Sequence, residues 1–184
     1  MRCLLLSLAI VPTLCHVPER MTEMQAMTKS IDPTVEESKQ TKCLATMIYG
    51  EARGEAERGM VAVAYTATNR AANKTVCGVI LAPKQYSIFN GNPELRAAAM
   101  SSDLEPKQKN VIDVAGWEQA VKVAQSVMRK EVPDPTMGST HYLSPTAMKS
   151  KGYKYPKWSK QYQLVIVIDK HRFYKPVDKK VATL

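Results

Sequence analysis

The densest concentration of unusual residue choices in the 184-residue chain is Tyr49-Gly50-Glu51-Ala52-Arg53-Gly54-Glu55. Glu51 lies four residues after Met47 and three after Ile48, so a helix through this stretch places it on the same face as those apolar side chains, close to the C-terminal end. Both features raise a carboxyl pKa, because burial disfavours the anion and the negative end of a helix disfavours it further. A glutamic acid kept protonated near neutral pH can protonate the leaving oxygen of a glycosidic bond. A purely structural role stands beside this one, in which Glu51 pairs with Arg53, Arg58 or Arg70 and pins the turn. Glu55 shares the helical face only if the helix continues through Gly54. It is then a second catalytic carboxylate, and otherwise it supports or caps the turn. Two-carboxylate mechanisms separate the groups by about 5 to 5.5 Å when retaining and about 6.5 to 9.5 Å when inverting, and the sequence does not choose between them.

The elements that must position these groups follow from spacing. Cys43, Leu44, Met47 and Ile48 recur at helical intervals, which predicts a first helix from near Ser38 to the glycines of 50–54. A second runs from Glu57 to Ala72, a short helical turn from Thr75 to Leu81, a brief helix from Glu94 to Met100, and a strongly striped one from Gly116 to Glu131, stopped by Pro133 and Pro135. The loop from Gln85 to Pro93, rich in aromatic, Asn and Gly residues, has the make-up of a functional loop. The last third turns β-branched and aromatic: a short strand at Thr140 to Leu143, then a hairpin of Gln163 to Ile168 and Arg172 to Tyr174 around Asp169-Lys170. The expected class is α+β, a helical body with a small antiparallel sheet near the C-terminus.

Length and composition fit one domain. Residues 1–38 read as an export signal and linker or a mobile tail, 39–176 as the domain, and 177–184 as a C-terminal tail. The apolar run from Cys3 to Cys15 is too short to span a membrane, so no stable insertion of the mature domain is expected. A hydrophobic fraction of 45% argues against disorder throughout. The net charge of +9 favours anionic partners. Residues 1–38 are more acidic than basic, so that charge belongs to the domain. No nucleic-acid motif accompanies it, and no nucleic-acid partner is expected. Outside the N-terminal run only Cys43 and Cys77 remain. Export would permit a disulfide between them, and a cytosolic life would leave two thiols. His16, His141 and His171 show no metal-ligand spacing, which weakens a zinc amidase or peptidase as the rival enzyme and calls for no metal or other cofactor. A basic wall-binding module without activity is the non-enzymatic rival.

The run E-A-R-G-E from Glu51 is followed by Gly59, Val61 to Ala64, Asn69-Arg70, Thr75 to Val79, Gln85 to Ser87 with Phe89 to Gly91, Gly138 to Tyr142, Pro156 with Trp158, and Lys170 to Tyr174. In order and spacing these residues resemble the catalytic domain of the SleB-type cell-wall hydrolases, the spore-cortex-lytic and phage lysin family, over roughly residues 40 to 175. The resemblance implies a lysozyme-like fold and cleavage of peptidoglycan between N-acetylmuramic acid and N-acetylglucosamine, with Glu51 as the acid, and a monomer is expected. It also implies action in the cell envelope or periplasm, after secretion, or as a phage lysin released into the host envelope. Gln85, Tyr86, Ser87, Phe89, Tyr142 and Trp158 carry groups suited to binding sugars. Gly50 and Tyr86 depart from the family's usual larger polar residue and Phe. The acidic insertion at Ser101 to Asp113 leaves the shape of the groove open. Without help from a second carboxylate, the muramic acid's own C6 hydroxyl can capture the intermediate. The reaction is then lytic transglycosylation rather than hydrolysis.

Overall fold

A computed structural model describes residues 33–103 and 113–177. The expected export signal with Cys3, Cys15 and His16, most of the acidic insertion, and residues 178–184 lie outside the described residues.

Helix α1 (Pro33–Ala52) starts ahead of the expected position near Ser38 and stops before Gly54. Residues Gln40 to Tyr49 are all buried, so α1 is enclosed rather than striped. Around it pack α2 (Glu57–Arg70), α3 (Val76–Ile80), α4 (Pro93–Ala99) and α5 (Val114–Met128). Its buried polar groups are hydrogen-bonded, as burial requires. The Thr41 and Thr46 hydroxyls donate to the Glu37 and Lys42 carbonyls, each at 2.8 Å. The Lys42 ammonium donates to the Asp103 carbonyl and lies 4.7 Å from the centre of the Trp117 ring.

Helices α3, α4 and α5 carry side-chain N-caps. Thr75 Oγ1 accepts from the Gly78 amide at 3.0 Å, Asn92 Oδ1 from Leu95 at 2.9 Å, and Asp113 Oδ1 from Gly116 at 3.0 Å. Cys43 of α1 and Cys77 of α3 form a disulfide with their Cα atoms 5.4 Å apart. No helix among the described residues is long and apolar enough to cross a membrane.

Strands β1 (His141–Leu143), β2 (Gln163–Ile168) and β3 (His171–Lys175) form an antiparallel sheet in the order β1-β3-β2. Tyr142 pairs with Phe173 on the face that meets the helical body, and Phe173 is fully buried in the common core. His141 pairs with Tyr174 on the other face, which Trp158 covers at ring distances of 5.0 and 5.5 Å. The tip of the β2–β3 hairpin seats on the start of α2. A Cβ on Gly59 would fall 2.3 Å from an Asp169 carboxylate oxygen and 2.9 Å from Glu55 Cβ, so a larger residue there would have to displace the Asp169 side chain.

Periodicity is silent about α6 (Pro145–Ser150) and the 3-10 turns Ser87–Phe89 and Lys157–Lys160, because each is too short for a repeat to register. The visible clue to α6 is Ser144-Pro145, an N-cap followed by proline at the first position. Ser144 Oγ accepts from the Ala147 amide at 3.3 Å.

Candidate active site

The last turn of α1 delivers Glu51 into an open cleft of about 490 Å³ between the helical body and the sheet. Two hydroxyls converge on its carboxyl group. Ser87 Oγ donates to Oε1 at 3.3 Å, and the Tyr142 hydroxyl donates to Oε2 at 3.4 Å. Burial is the largest influence on Glu51 and raises its pKa. The hydrogen bonds from Ser87, Tyr142 and the Ile88 backbone, with the positive charge of Lys151, oppose this without cancelling it. The result is a carboxyl group biased toward its acid form and held in position by donors on both oxygens.

The alternative role in ion pairing finds no support among the described residues. The Arg53 guanidinium stacks on the Tyr49 ring at 4.9 Å, and Arg70 donates to Gln85 Oε1 while lying 5.9 Å from the centre of Tyr86. Among the described residues none of Arg53, Arg58 and Arg70 forms a salt bridge to Glu51.

Gly50 bears directly on this geometry. An ideal Cβ there would stand 2.5 Å from Ile88 Cδ1 and 2.6 Å from its Cγ2. The Ile88 side chain therefore occupies the space left by the missing Cβ and lays the 3-10 turn Ser87–Phe89 against the end of α1. That contact brings Ser87 and the Ile88 amide to Glu51.

Gln85, Tyr86, Ser87, Tyr142 and Trp158 all line the cleft with Glu51. Phe89 does not. Only 2% exposed, it packs into the core, because the 3-10 turn that aims Ser87 at the carboxyl turns Phe89 inward. Glu55 also lies away from the cleft lining. The helix ends at Ala52, and the turn through Gly54 sends Glu55 toward the hairpin, where Lys170 meets it with Nζ at 3.6 Å and its amide at 3.5 Å. Among the described residues lining the cleft, Glu51 is the sole carboxylate.

Thr66, Arg70, Lys84 and Thr140 also line the cleft without a sequence signal that marks them as site residues, and so does His141, which the sequence presents only as a possible metal ligand. Arg70 was visible as part of Asn69-Arg70, but nothing local distinguished its outward direction. His141 is half-buried, and burial followed by the charge of Arg70 lowers its pKa, which favours a neutral ring beside Trp158. Tyr86 is buried, which raises the pKa of its hydroxyl and keeps it protonated, so it remains a donor. Among the described residues no group of three His, Cys, Asp or Glu side chains has the arrangement to hold a metal ion.

A shielded carboxyl group in an open cleft lined by amide, hydroxyl and aromatic groups is an arrangement able to exchange a proton with a polar substrate. Residues 54–174 match the cell wall hydrolase family, and the chain belongs to that family of peptidoglycan-degrading enzymes. The matched span begins after Glu51 and takes in the cleft loop, the sheet and the hairpin. Among solved structures, the catalytic domain of the Bacillus cereus SleB protein is similar at 25% identity and a TM-score of 0.53, covering 74% of this chain and 90% of that one. The catalytic domain of the germination-specific lytic transglycosylase SleB from Bacillus anthracis is similar at 24% identity, also with a TM-score of 0.53, covering 80% of this chain and 98% of that one. No curated protein sequence matches the chain.

Proposed function

We propose that the enzyme is a lytic transglycosylase that cuts the glycan backbone of peptidoglycan between N-acetylmuramic acid and N-acetylglucosamine, with Glu51 as its acid and then its base. The observation that carries this reading is the single carboxylate among the described cleft residues, shielded and biased toward its protonated form. In the first step Glu51 gives its proton to the leaving glycosidic oxygen as the bond to the muramic C1 breaks. The Glu51 carboxylate then takes the proton of the muramic C6 hydroxyl as that oxygen attacks C1. A 1,6-anhydro ring forms, no water is consumed, and Glu51 is protonated again. Glu55, engaged with Lys170, supports the hairpin in this scheme and stands apart from the chemistry. Gln85, Tyr86, Tyr142 and Trp158 offer donors and ring faces to the sugars. The substrate places the site of action outside the cytoplasm.

Mass spectrometry of fragments released from purified peptidoglycan tests the proposal. Muramic ends in the 1,6-anhydro form are expected. Reducing muramic ends would show that water captures the intermediate, and stem peptides freed of glycan would replace this mechanism with an amidase.

Tyr142→Phe gives a second test with a defined sign. The Tyr142 hydroxyl stabilises the Glu51 anion and so lowers its pKa. Its removal should raise that pKa further and move the alkaline limb of the pH–rate profile to higher pH. A limb unchanged or shifted to lower pH would mean that the Tyr142 hydroxyl does not act on the titrating group.

A further inference from the structure

The chain leaves the cleft at Tyr142 and returns to it at Trp158. Between these residues, and just past them, stand Lys149, Lys151, Lys154, Lys157 and Lys160, all exposed. The sequence carries no acidic residue from Pro135 to Ile168, and none of the five lysines forms a salt bridge among the described residues. Exposed aromatic rings are set among them. Tyr153 is 63% and Tyr155 43% exposed, and with Pro145, Thr146 and Lys149 they line a shallow depression of about 610 Å³.

The local backbone builds this surface. Gly152, at φ +65°, ends α6, and the Tyr153 amide donates back to the Met148 carbonyl at 2.9 Å. The chain therefore doubles back past α6 toward Pro156 and the Trp158 turn. Lysines spread for solubility alone would not need two large rings left in water beside them. The surface is also joined electrically to the cleft, since the positive charge of Lys151 acts on Glu51.

We propose that the segment from Pro145 to Lys160 is a second binding surface, a ledge that holds the carboxylate-bearing stem-peptide side of the peptidoglycan strand next to the cleft. The proposal rests on the glycan-cleaving reading of that cleft, because a strand threaded past Tyr142 and Trp158 runs onto this ledge. Tyrosine faces suit the C–H faces of sugars, and flexible lysines suit carboxylates of variable position better than rigid guanidinium groups do. Exposed charges act over a Debye length of about 10 Å at 0.1 M salt, so the ledge gathers substrate most strongly at low ionic strength.

Binding is measured by co-sedimentation of full-length Glu51→Gln protein with purified sacculi. The sacculi are first stripped of phosphodiester polymers with hydrofluoric acid, then used either as they are or with their carboxyl groups amidated. Amidation should weaken binding on the order of tenfold at low salt. Adding Lys149→Gln, Lys154→Gln and Lys157→Gln should weaken binding to unmodified sacculi to a similar extent and flatten its salt dependence. Equal binding to native and amidated sacculi overturns the proposal, and so does undiminished binding of the lysine variants to unmodified sacculi or binding that disappears once the phosphodiester polymers are removed. Should Glu51→Gln still release fragments, the catalytic reading fails, while the carboxylate dependence is read separately from bound protein at early times.

Discussion

The Glu51→Gln protein is expected to fold as the parent does and to cleave purified sacculi at least ~100-fold more slowly, the lower range for loss of a general acid. Glutamine keeps the size of the side chain and still meets Ser87 and Tyr142, but it has no proton to give. The wild-type rate should fall as pH rises through the raised pKa of Glu51, since the acid form must be present in the free enzyme. Stability should move the other way. A carboxyl group whose folded pKa lies above its unfolded one stabilises the fold fully below the unfolded pKa, and that contribution is lost as pH rises through the folded pKa. At neutral pH the variant, with no anion to desolvate, should therefore melt at the parent's temperature or higher, and the difference should shrink on acidification. A folded Glu51→Gln protein with near-normal activity would remove Glu51 from the mechanism.

Loss of the Cys43–Cys77 disulfide is expected to have the largest effect on stability. The bridge joins residues 34 apart, and in the chain-entropy account a loop of that length contributes roughly 3 to 4 kcal/mol. A domain's whole stability is about 5 to 15 kcal/mol. The paired substitution Cys43→Ala and Cys77→Ala should thus lower the melting temperature by roughly 10 °C. Reducing agent should lower it similarly in the parent. The bridge also ties α1, which carries Glu51, to α3, which leads into the loop carrying Ser87, so activity should decline on heating before global unfolding. A melting temperature indifferent to reductant would show that the bridge makes no such contribution.

How far the sequence alone reaches is clear from where its signals are local. The end of α1 could be read from Gly50 and Gly54, the hairpin from β-branched and aromatic runs around Asp169-Lys170, and the α+β order from the change of period along the chain. Glu51 on the buried side of α1 followed from its distance to Met47 and Ile48. Each of these is a property of residues within a turn or two of one another. The partners of Glu51 are not. Ser87 is 36 residues away and Tyr142 is 91, and Ser87 reaches the carboxyl beside Ile88, whose side chain fills the space over Gly50. The same holds for Glu55, which the turn at Gly54 directs to Lys170, and for Phe89, which a single 3-10 turn sends into the core. Local periodicity fixes which way a helix faces, but a loop side chain takes its direction from whatever the closed chain packs against it, and that packing exists only once the helices and the sheet have come together.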